Sequence, residues 1–359
     1  MDKIMIMTNH SYMLWRFHRE LIEALCRKHE VVLCMPFTGH EKDFQRMGLR
    51  CWQTEMERRG KNPLQEVRLL GLYRRILEAE QPDLVLTYSV KPNIYGGLLC
   101  TRKKIPFCAN VQGLGTAFQK KGMALLVTLL YRRAFRKVRT VFFENQENAL
   151  EFQKRHVLPE KKEKVLSGAG INLEEYPLLP YPQNQTMHFL YLGRIMKEKG
   201  IDELFAAVRR LKAENASFVL DLVGFFEEGY EEQVEEMEKE QIVVFHGFQS
   251  DPRPFYQHAD CVLLPSYHEG MSNVLLEASA MGRPVITSDI PGCREVVEPE
   301  VSGLLVRAVD AESLYQKMRQ MLETPPEKRA AMGKAGHEKM KREFSRTKVV
   351  RETMQELGI

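Results

Sequence analysis

Residues 266–297 read SYHEGMSNVLLEASAMGRPVITSDIPGCREVV, and the stretch sets two carboxylates, Glu269 and Glu277, eight positions apart around a helix start. The apolar run that closes in Leu263, Leu264 and Pro265 reads as a strand. Ser272 or Asn273 is a favourable N-cap, and Val274 to Met281 has helix-forming composition. One strand-loop-helix unit therefore carries both acids. Glu269 falls on the loop at the strand's carboxyl end, where open α/β sheets bind ligands, and Glu277 about one turn into the helix beyond. Gly270 lets a ligand approach the backbone closely, and the amides of Met271, Ser272 and Asn273 present positive dipole to an anion. On spacing alone, an acidic turn beside a solvated helix glutamate explains the pair as well.

A second motif of the same half tips that balance. His188 to Leu192 reads as a strand, Gly193-Arg194 turns the chain, and Lys197 to Gly200 leads into a helix beginning near Ile201. A strand, a glycine turn with fixed cations and a helix start suit a diphosphate, whose delocalised charge wants donors already in place. Taken alone, exposed cations beside a loop mean solubility.

Glu, seven residues, Glu, then Gly282-Arg283-Pro284-Val285 and Pro291-Gly292, together with the Gly-Arg and Lys-Gly elements, resembles the retaining nucleotide-sugar glycosyltransferases of family four. The resemblance implies an α/β chain with the GT-B fold, two Rossmann-like doubly wound domains facing a central cleft. It implies that Glu269 contacts hydroxyls of the donor sugar, that Glu277 holds the ribose, and that Arg194 and Lys199 bind the diphosphate. Gly193 and the backbone of Gly270, Met271, Ser272 and Asn273 complete the donor site. Glu269, Arg194 and Lys199 are then the catalytic set: two cations stabilise the leaving diphosphate and the acid positions the sugar. Retaining members of the family are described by front-face attack, with the leaving phosphate taking the acceptor's proton. No cofactor and no metal are expected, the UDP-sugar being a substrate. The donor region has no Asp-x-Asp, and no His or Cys cluster has ligand spacing.

A chain of 359 residues exceeds the size at which one core stops growing. Strand-like runs alternate with helical stretches throughout, which argues for parallel sheets covered by helices. Strands are expected at residues 4–8, 31–36, 84–87, 107–111 and 140–144, and again at 188–192, 218–223, 243–246, 261–264 and 285–287. Between the two sets, residues 172–185 hold Pro177, Pro180 and Pro182 and read as a linker. The expected division is an acceptor domain over 1–171, the linker, a nucleotide-sugar domain over 186–340, and a C-terminal helix over 341–359 packing back on the first domain. The seven cysteines form no Cys-x-x-Cys pair, which fits reduced thiols. MDKIMIMTNH reads directly as a strand, without the basic start and long apolar core of a signal peptide.

Charge is distributed unevenly. Up to Glu175 there are 30 Lys plus Arg against 19 Asp plus Glu, a balance of +11; the remainder has 22 against 29, or −7, within a total of +4. Much of the excess lies in Arg102-Lys103-Lys104, Lys120-Lys121 and GMALLVTLLYRRAFRKVR, whose apolar start runs into Arg132, Arg133, Arg136, Lys137 and Arg139. Such a segment suits an anionic membrane surface, although a core-packed helix with a solvated basic end has the same pattern. The expectation is a cytoplasmic protein lying peripherally on the inner face of the cell membrane. No motif accompanies the charge that would indicate nucleic acid. The acidic run Glu227 to Glu240 reads as a solvated helix face.

Weaker segments of the first half, SVKPN (89–93), NVQGLGTAF (110–118), FENQEN (143–148) and SGAGIN (167–172), resemble bacterial transferases that extend undecaprenyl-diphosphate-linked sugars for capsule, O-antigen or glycoprotein glycans. The implied acceptor is a lipid-diphosphate-linked saccharide and the implied nucleotide UDP; an N-acetylhexosamine is the first choice of transferred sugar, with glucose, galactose or a hexuronic acid next. Lys91, Asn93, Gln112 and Gly113 are candidate acceptor or sugar contacts, a structural role being equally open for each. Gly113 and Gly115 would allow close backbone approach to a sugar. The chain departs from the wider family in two places. Asn9, His10 and Ser11 stand where many members have a Gly-Gly turn, and Gln112 to Gly115 contains no cleft histidine; His10 and His18 are the possible substitutes. Two other classes stay open, a nucleotide-sugar epimerase of the same fold and a non-catalytic membrane-associated partner of a transferase. The second Glu motif and the basic acceptor half weigh against the first, and the full donor cluster, Arg194, Lys199, Glu269 and Glu277, against the second.

Overall fold

The computed structural model describes residues 2–56, 63–113 and 121–359. The chain divides into two compact units, Met1–Ala169 with Thr347–Ile359, and Gly170–Arg346.

In the first unit the described strands are β1 (Lys3–Met7), β2 (Glu30–Met35), β3 (Arg50–Gln53), β4 (Leu84–Tyr88), β5 (Phe107–Val111), β6 (Val141–Phe143) and β7 (Glu163–Val165). They form one parallel sheet in the order β3-β2-β1-β4-β5-β6-β7. Helices α1 (Ser11–Cys26), α2 (Glu41–Arg46), α3 (Pro63–Glu80), α4 (Gly97–Lys103), α5 (Lys121–Ala134) and α6 (Gln146–Lys154) connect them. The central strands, IMIM and VVLCM, are apolar on both faces because helices cover both, the pattern expected of a parallel sheet.

The second unit repeats the plan with β8 (Met187–Leu192), β9 (Phe218–Val223), β10 (Val243–Gly247), β11 (Cys261–Leu264), β12 (Val285–Ser288) and β13 (Gly303–Val306), in the parallel order β10-β9-β8-β11-β12-β13. Its helices are α7 (Ile201–Ala213), α8 (Glu231–Lys239), α9 (Arg253–His258), α10 (Asn273–Ala280), α11 (Ala311–Glu323) and α12 (Pro326–Lys339). In both sheets the order reverses beside the first strand of the unit, at β1/β4 and at β8/β11. Such a reversal leaves a crevice at the carboxyl ends, where doubly wound sheets take ligands.

Ten strands fall where the pattern predicts them, to within one residue at either end, and three more appear that it did not predict: β3, β7 and β13. All three are sheet edges. The other differences concern the joins. Residues 172–185 are not a free linker but part of the second unit. Prolines lack amide donors, so this segment is fixed through its carbonyls and flanking polar groups: Arg283 Nη2 donates to the Pro180 carbonyl at 2.9 Å, Tyr181 Oη to the Asp260 carbonyl at 3.0 Å, and Asn184 Nδ2 to the His258 carbonyl at 2.9 Å. At the far end the chain leaves the second unit at Arg346 rather than at 340. A wide helical turn, Met340–Phe344, buries Met340 and Phe344 in that unit's core. Ile171 N then donates to the Phe344 carbonyl at 2.7 Å and Arg346 N to the Ile171 carbonyl at 2.9 Å. Only the last helix, α13 (Arg346–Leu357), joins the first unit, burying Val349 and Leu357 with Ile4, Ile6 and Leu14. No disulfide forms: all seven cysteines are free thiols.

Candidate functional site

The turn after β8 is built by backbone crowding. Gly193 N donates to the Val223 carbonyl at 2.9 Å, and a Cβ on Gly224 would lie 1.8 Å from the Gly193 carbonyl oxygen, so only glycine fits there. Ile195 N donates to the Phe225 carbonyl at 2.9 Å, and Glu227 N to the Ile195 carbonyl at 3.1 Å. Beneath the turn, the wholly buried Tyr191 donates its phenol to the Arg194 carbonyl at 2.7 Å. Burial first, and then the nearby charge of Glu269, push that phenol well above its ordinary pKa, so it stays a donor.

The next step joins this turn to the loop after β11. Lys197–Lys199 form a single 3-10 turn and Gly200 follows at φ +74°, where a Cβ would stand 2.1 Å from the Pro265 carbonyl oxygen. Tyr267 N donates to the Glu198 carbonyl at 2.9 Å. Locked together in this way, the two loops place Lys199 Nζ 2.5 Å from Glu269 Oε1, a largely buried pair with side chains 17 % and 14 % exposed. With Gly200 as its N-cap, α7 starts without a side-chain cap.

The glutamate loop has its own brace. Ser272 is the N-cap of α10, its hydroxyl accepting from Leu275 N, and Ser272 N donates to the Gly292 carbonyl at 3.0 Å. A Cβ on Gly292 would lie 1.9 Å from the Gly270 carbonyl, so Pro291-Gly292 holds the ligand loop backbone to backbone. Glu277 is buried within α10 and accepts from Tyr256 Oη at 2.9 Å. Arg283, wholly buried, donates through Nε to the Tyr256 carbonyl at 2.8 Å and through Nη2 to Pro180. Desolvation lowers its pKa, and its bonds to main-chain carbonyls make Arg283 of the Gly-Arg-Pro-Val motif a brace under Tyr256.

Arg194 Nη1 lies 2.5 Å from Glu227 Oε2, an ion pair the sequence reading missed by assigning Glu227 to a helix face. Helix α8 begins only at Glu231, so Glu227 and Glu228 belong to the loop at the carboxyl end of β9, beside the donor turn. Their place just after a strand was the available signal. Tyr191, Tyr256 and Arg283 carried no signal beyond an apolar or motif context.

The first-unit residues divide. His10 precedes α1 and its Nδ1 lies 3.2 Å from Thr38 Oγ1; His18 packs its ring on Tyr88 at 4.6 Å. Lys91 pairs with Glu66 at 2.6 Å, and Gln112 Nε2 reaches Met13 Sδ at 3.5 Å. Gly113 is half-buried at the end of β5, whereas Leu114 and Gly115 lie outside the described residues, as does Lys120. Asn93 does not fit an acceptor contact. Only 1 % exposed, it accepts from Thr87 Oγ1 at 2.6 Å and donates to the Asn110 carbonyl at 2.9 Å, tying β4 to β5. Among the described residues no group of three or more His, Cys, Asp or Glu is placed to hold a metal ion.

Two family models match in tandem, Glycosyltransferase Family 4 over residues 14–175 and Glycosyl transferases group 1 over 182–339. The second covers the site just described. The chain belongs to the GT-B glycosyltransferases. A similar curated protein is the N,N'-diacetylbacillosaminyl-diphospho-undecaprenol alpha-1,3-N-acetylgalactosaminyltransferase of Campylobacter jejuni, 28 % identical over 86 % of both chains. Another is the capsular polysaccharide biosynthesis glycosyltransferase CapM of Staphylococcus aureus, 27 % identical over 50 % of each. Among solved structures, Anabaena HepE with UDP-glucose aligns over 100 % of both chains at TM-score 0.81 and 16 % identity. Sucrose-phosphate synthase of Thermosynechococcus elongatus aligns at 0.80 and 20 %, over 99 % of this chain and 98 % of its own. Likeness at such identities speaks for the fold alone. The glycosyltransferase thus carries Arg194, Lys199, Glu269 and Glu277 in one unit, on the segments that follow β8 and β11.

Proposed function

We propose that this glycosyltransferase moves an N-acetylhexosamine from a UDP-sugar to a lipid-diphosphate-linked saccharide, with retention at the anomeric carbon. The observation that carries the reading is the Lys199–Glu269 pair at 2.5 Å, which sets a cation for a leaving diphosphate against an acid suited to sugar hydroxyls. The Campylobacter relative, named as a transferase acting on a diphospho-undecaprenol sugar and similar over most of both chains, supports the acceptor class and the choice of sugar. In this reading Arg194 and Lys199 stabilise the charge that grows on the leaving diphosphate. Buried Glu277, oriented by Tyr256, accepts from the ribose. Glu269 holds the sugar, and the departing phosphate takes the acceptor's proton, so neither an enzyme nucleophile nor a metal is required.

The second part of the proposal places the enzyme on an anionic membrane surface. Leu125, Leu126 and Leu129 of α5 are 62 %, 53 % and 51 % exposed, and the helix runs into exposed Arg132, Arg133, Arg136 and Lys137. Apolar groups followed by cations suit the boundary between acyl chains and lipid phosphates. No helix of the described residues is long and apolar enough to cross a membrane.

The test is nucleoside diphosphate release from UDP-N-acetylhexosamines, with and without undecaprenyl-diphosphate-linked saccharides, beside Glu269→Gln. Release that requires the acceptor and is lost in the variant supports transfer; release without an acceptor contradicts it. Flotation with phosphatidylglycerol vesicles tests the surface, and a Leu125, Leu126 and Leu129 triple serine variant that floats like the parent removes α5 from it.

A further inference from the structure

Both cations of the donor turn have carboxylate partners. For Lys199 the partner is Glu269, which the transfer reaction itself uses. For Arg194 it is Glu227, which no step accounts for. We propose that Glu227 is a displaceable counter-ion of the diphosphate site, occupying the guanidinium that the donor's phosphates need and thereby holding nucleoside diphosphate affinity down. The proposal rests on the donor reading of Arg194 and names what sets affinity there.

Three observations support it. The pair is close, Nη1 to Oε2 2.5 Å, so Glu227 and a phosphate oxygen compete for the same N–H fork. It is also partly open to water, with side chains 31 % and 24 % exposed, so the carboxylate can rehydrate when displaced. Finally, Glu227 cannot drift away: its amide donates to the Ile195 carbonyl at 3.1 Å, and the neighbouring Glu228 carboxylate accepts from Lys197 N at 2.7 Å. The acid is tethered to the turn it neutralises.

Charge explains why such a residue is useful. A sugar nucleotide carries about two negative charges on its diphosphate, while the released nucleoside diphosphate has a free terminal phosphate and about one more at neutral pH. A fixed carboxylate therefore opposes the product more than the donor. Product release limits many well-evolved enzymes, and in this proposal the resident acid hastens it.

The experiment is calorimetric titration of UDP, GDP and ADP into the parent, Glu227→Gln, Glu228→Gln, Arg194→Ala and the Arg194→Ala/Glu227→Gln double variant. Glu227→Gln should bind UDP about three- to tenfold more tightly, a gain that misfolding cannot imitate. Glu228→Gln changes net charge equally but should shift affinity by less than about twofold, and the Glu227 effect should vanish without Arg194. If Arg194→Ala weakens UDP while Glu227→Gln leaves affinity unchanged or lower, the counter-ion role is wrong and the donor reading stands. An Arg194→Ala variant that binds as the parent does, or a parent that binds none of the three, overturns both.

Discussion

The loop after β1 and the loop after β8 occupy equivalent places, each leaving the first strand of its unit beside the point where strand order reverses. They solve the same problem differently. After β8, Gly200 starts α7 with no side-chain cap, and Arg194 and Lys199 stand beside it. After β1, Ser11 N donates to Thr38 Oγ1 at 3.1 Å, Thr38 N donates to Ser11 Oγ at 2.8 Å, and Ser11 Oγ donates to the Gly39 carbonyl at 2.7 Å. In the first, the Ser11 amide meets one of the protein's own hydroxyls, while the N-cap of the second is a glycine with no side chain to offer. Two copies of one fold thus differ in what their own side chains supply to the opening amides of a helix.

Breaking the open loop should have the largest effect. Lys199→Ala removes the cation and strands Glu269, and kcat/KM should fall by about 10²–10³ in the release assay. A fall below about tenfold would mean that the diphosphate lies elsewhere. Gly200→Ala is the structural counterpart. With φ at +74° and a Cβ 2.1 Å from the Pro265 carbonyl, the substitution should cost the second unit about 2–4 kcal/mol in chemical denaturation and separate Lys199 from Glu269. Full stability together with full activity would show that the two loops are not locked as described.

The same contrast explains what could be read in the sequence. Central strands such as IMIM, VVLCM and CVLL are apolar on both faces, and each declares itself. The edges β3 (RCWQ), β7 (EKV) and β13 (GLLV) are short, polar or opened by glycine, since an edge faces fewer partners, and they look like loop. The placement of Lys199, Glu269 and Glu277 was legible because each lies beside a strand end or a helix start. Glu227 was not, because an acidic run hides which of its members precede the helix. Asn93 misled for the opposite reason: a polar residue in a motif-like segment proved to be a buried tie between strands.

A test of intermediate size concerns stability within the closed unit. Glu80, at the end of α3, is buried and accepts from Arg50 Nη1 at 2.7 Å, Trp52 Nε1 at 2.7 Å and Lys3 Nζ at 3.3 Å, so one acid gathers β1, β3 and α3. Burial alone would raise its pKa, but the bonds from Arg50, Trp52 and Lys3 outweigh it and hold the carboxyl below its ordinary value. A carboxyl whose folded pKa is depressed stabilises the fold above its unfolded pKa and loses that contribution as pH falls through the folded value. Glu80→Gln should therefore cost about 2 kcal/mol at neutral pH, and the gap between parent and variant should narrow as the medium is acidified below the ordinary carboxylate range. A gap independent of pH would mean that Glu80 acts by packing rather than by charge.

The smallest effect is the sharpest test of the comparison. Thr38→Val removes the hydroxyl that accepts from Ser11 N while keeping the shape of the side chain, and it leaves the start of α1 with an unpaired amide. Loss of a capping acceptor costs about 1 kcal/mol, so amide exchange in α1 should quicken by about fivefold while that in α7 does not change. UDP affinity should stay at the parent value in the proposed reading, whose Arg194, Lys199, Glu269 and Glu277 all belong to the second unit. Should Thr38→Val instead weaken UDP binding, the hydroxyl of Thr38 would have to be understood as a ligand contact rather than as a brace of α1 alone.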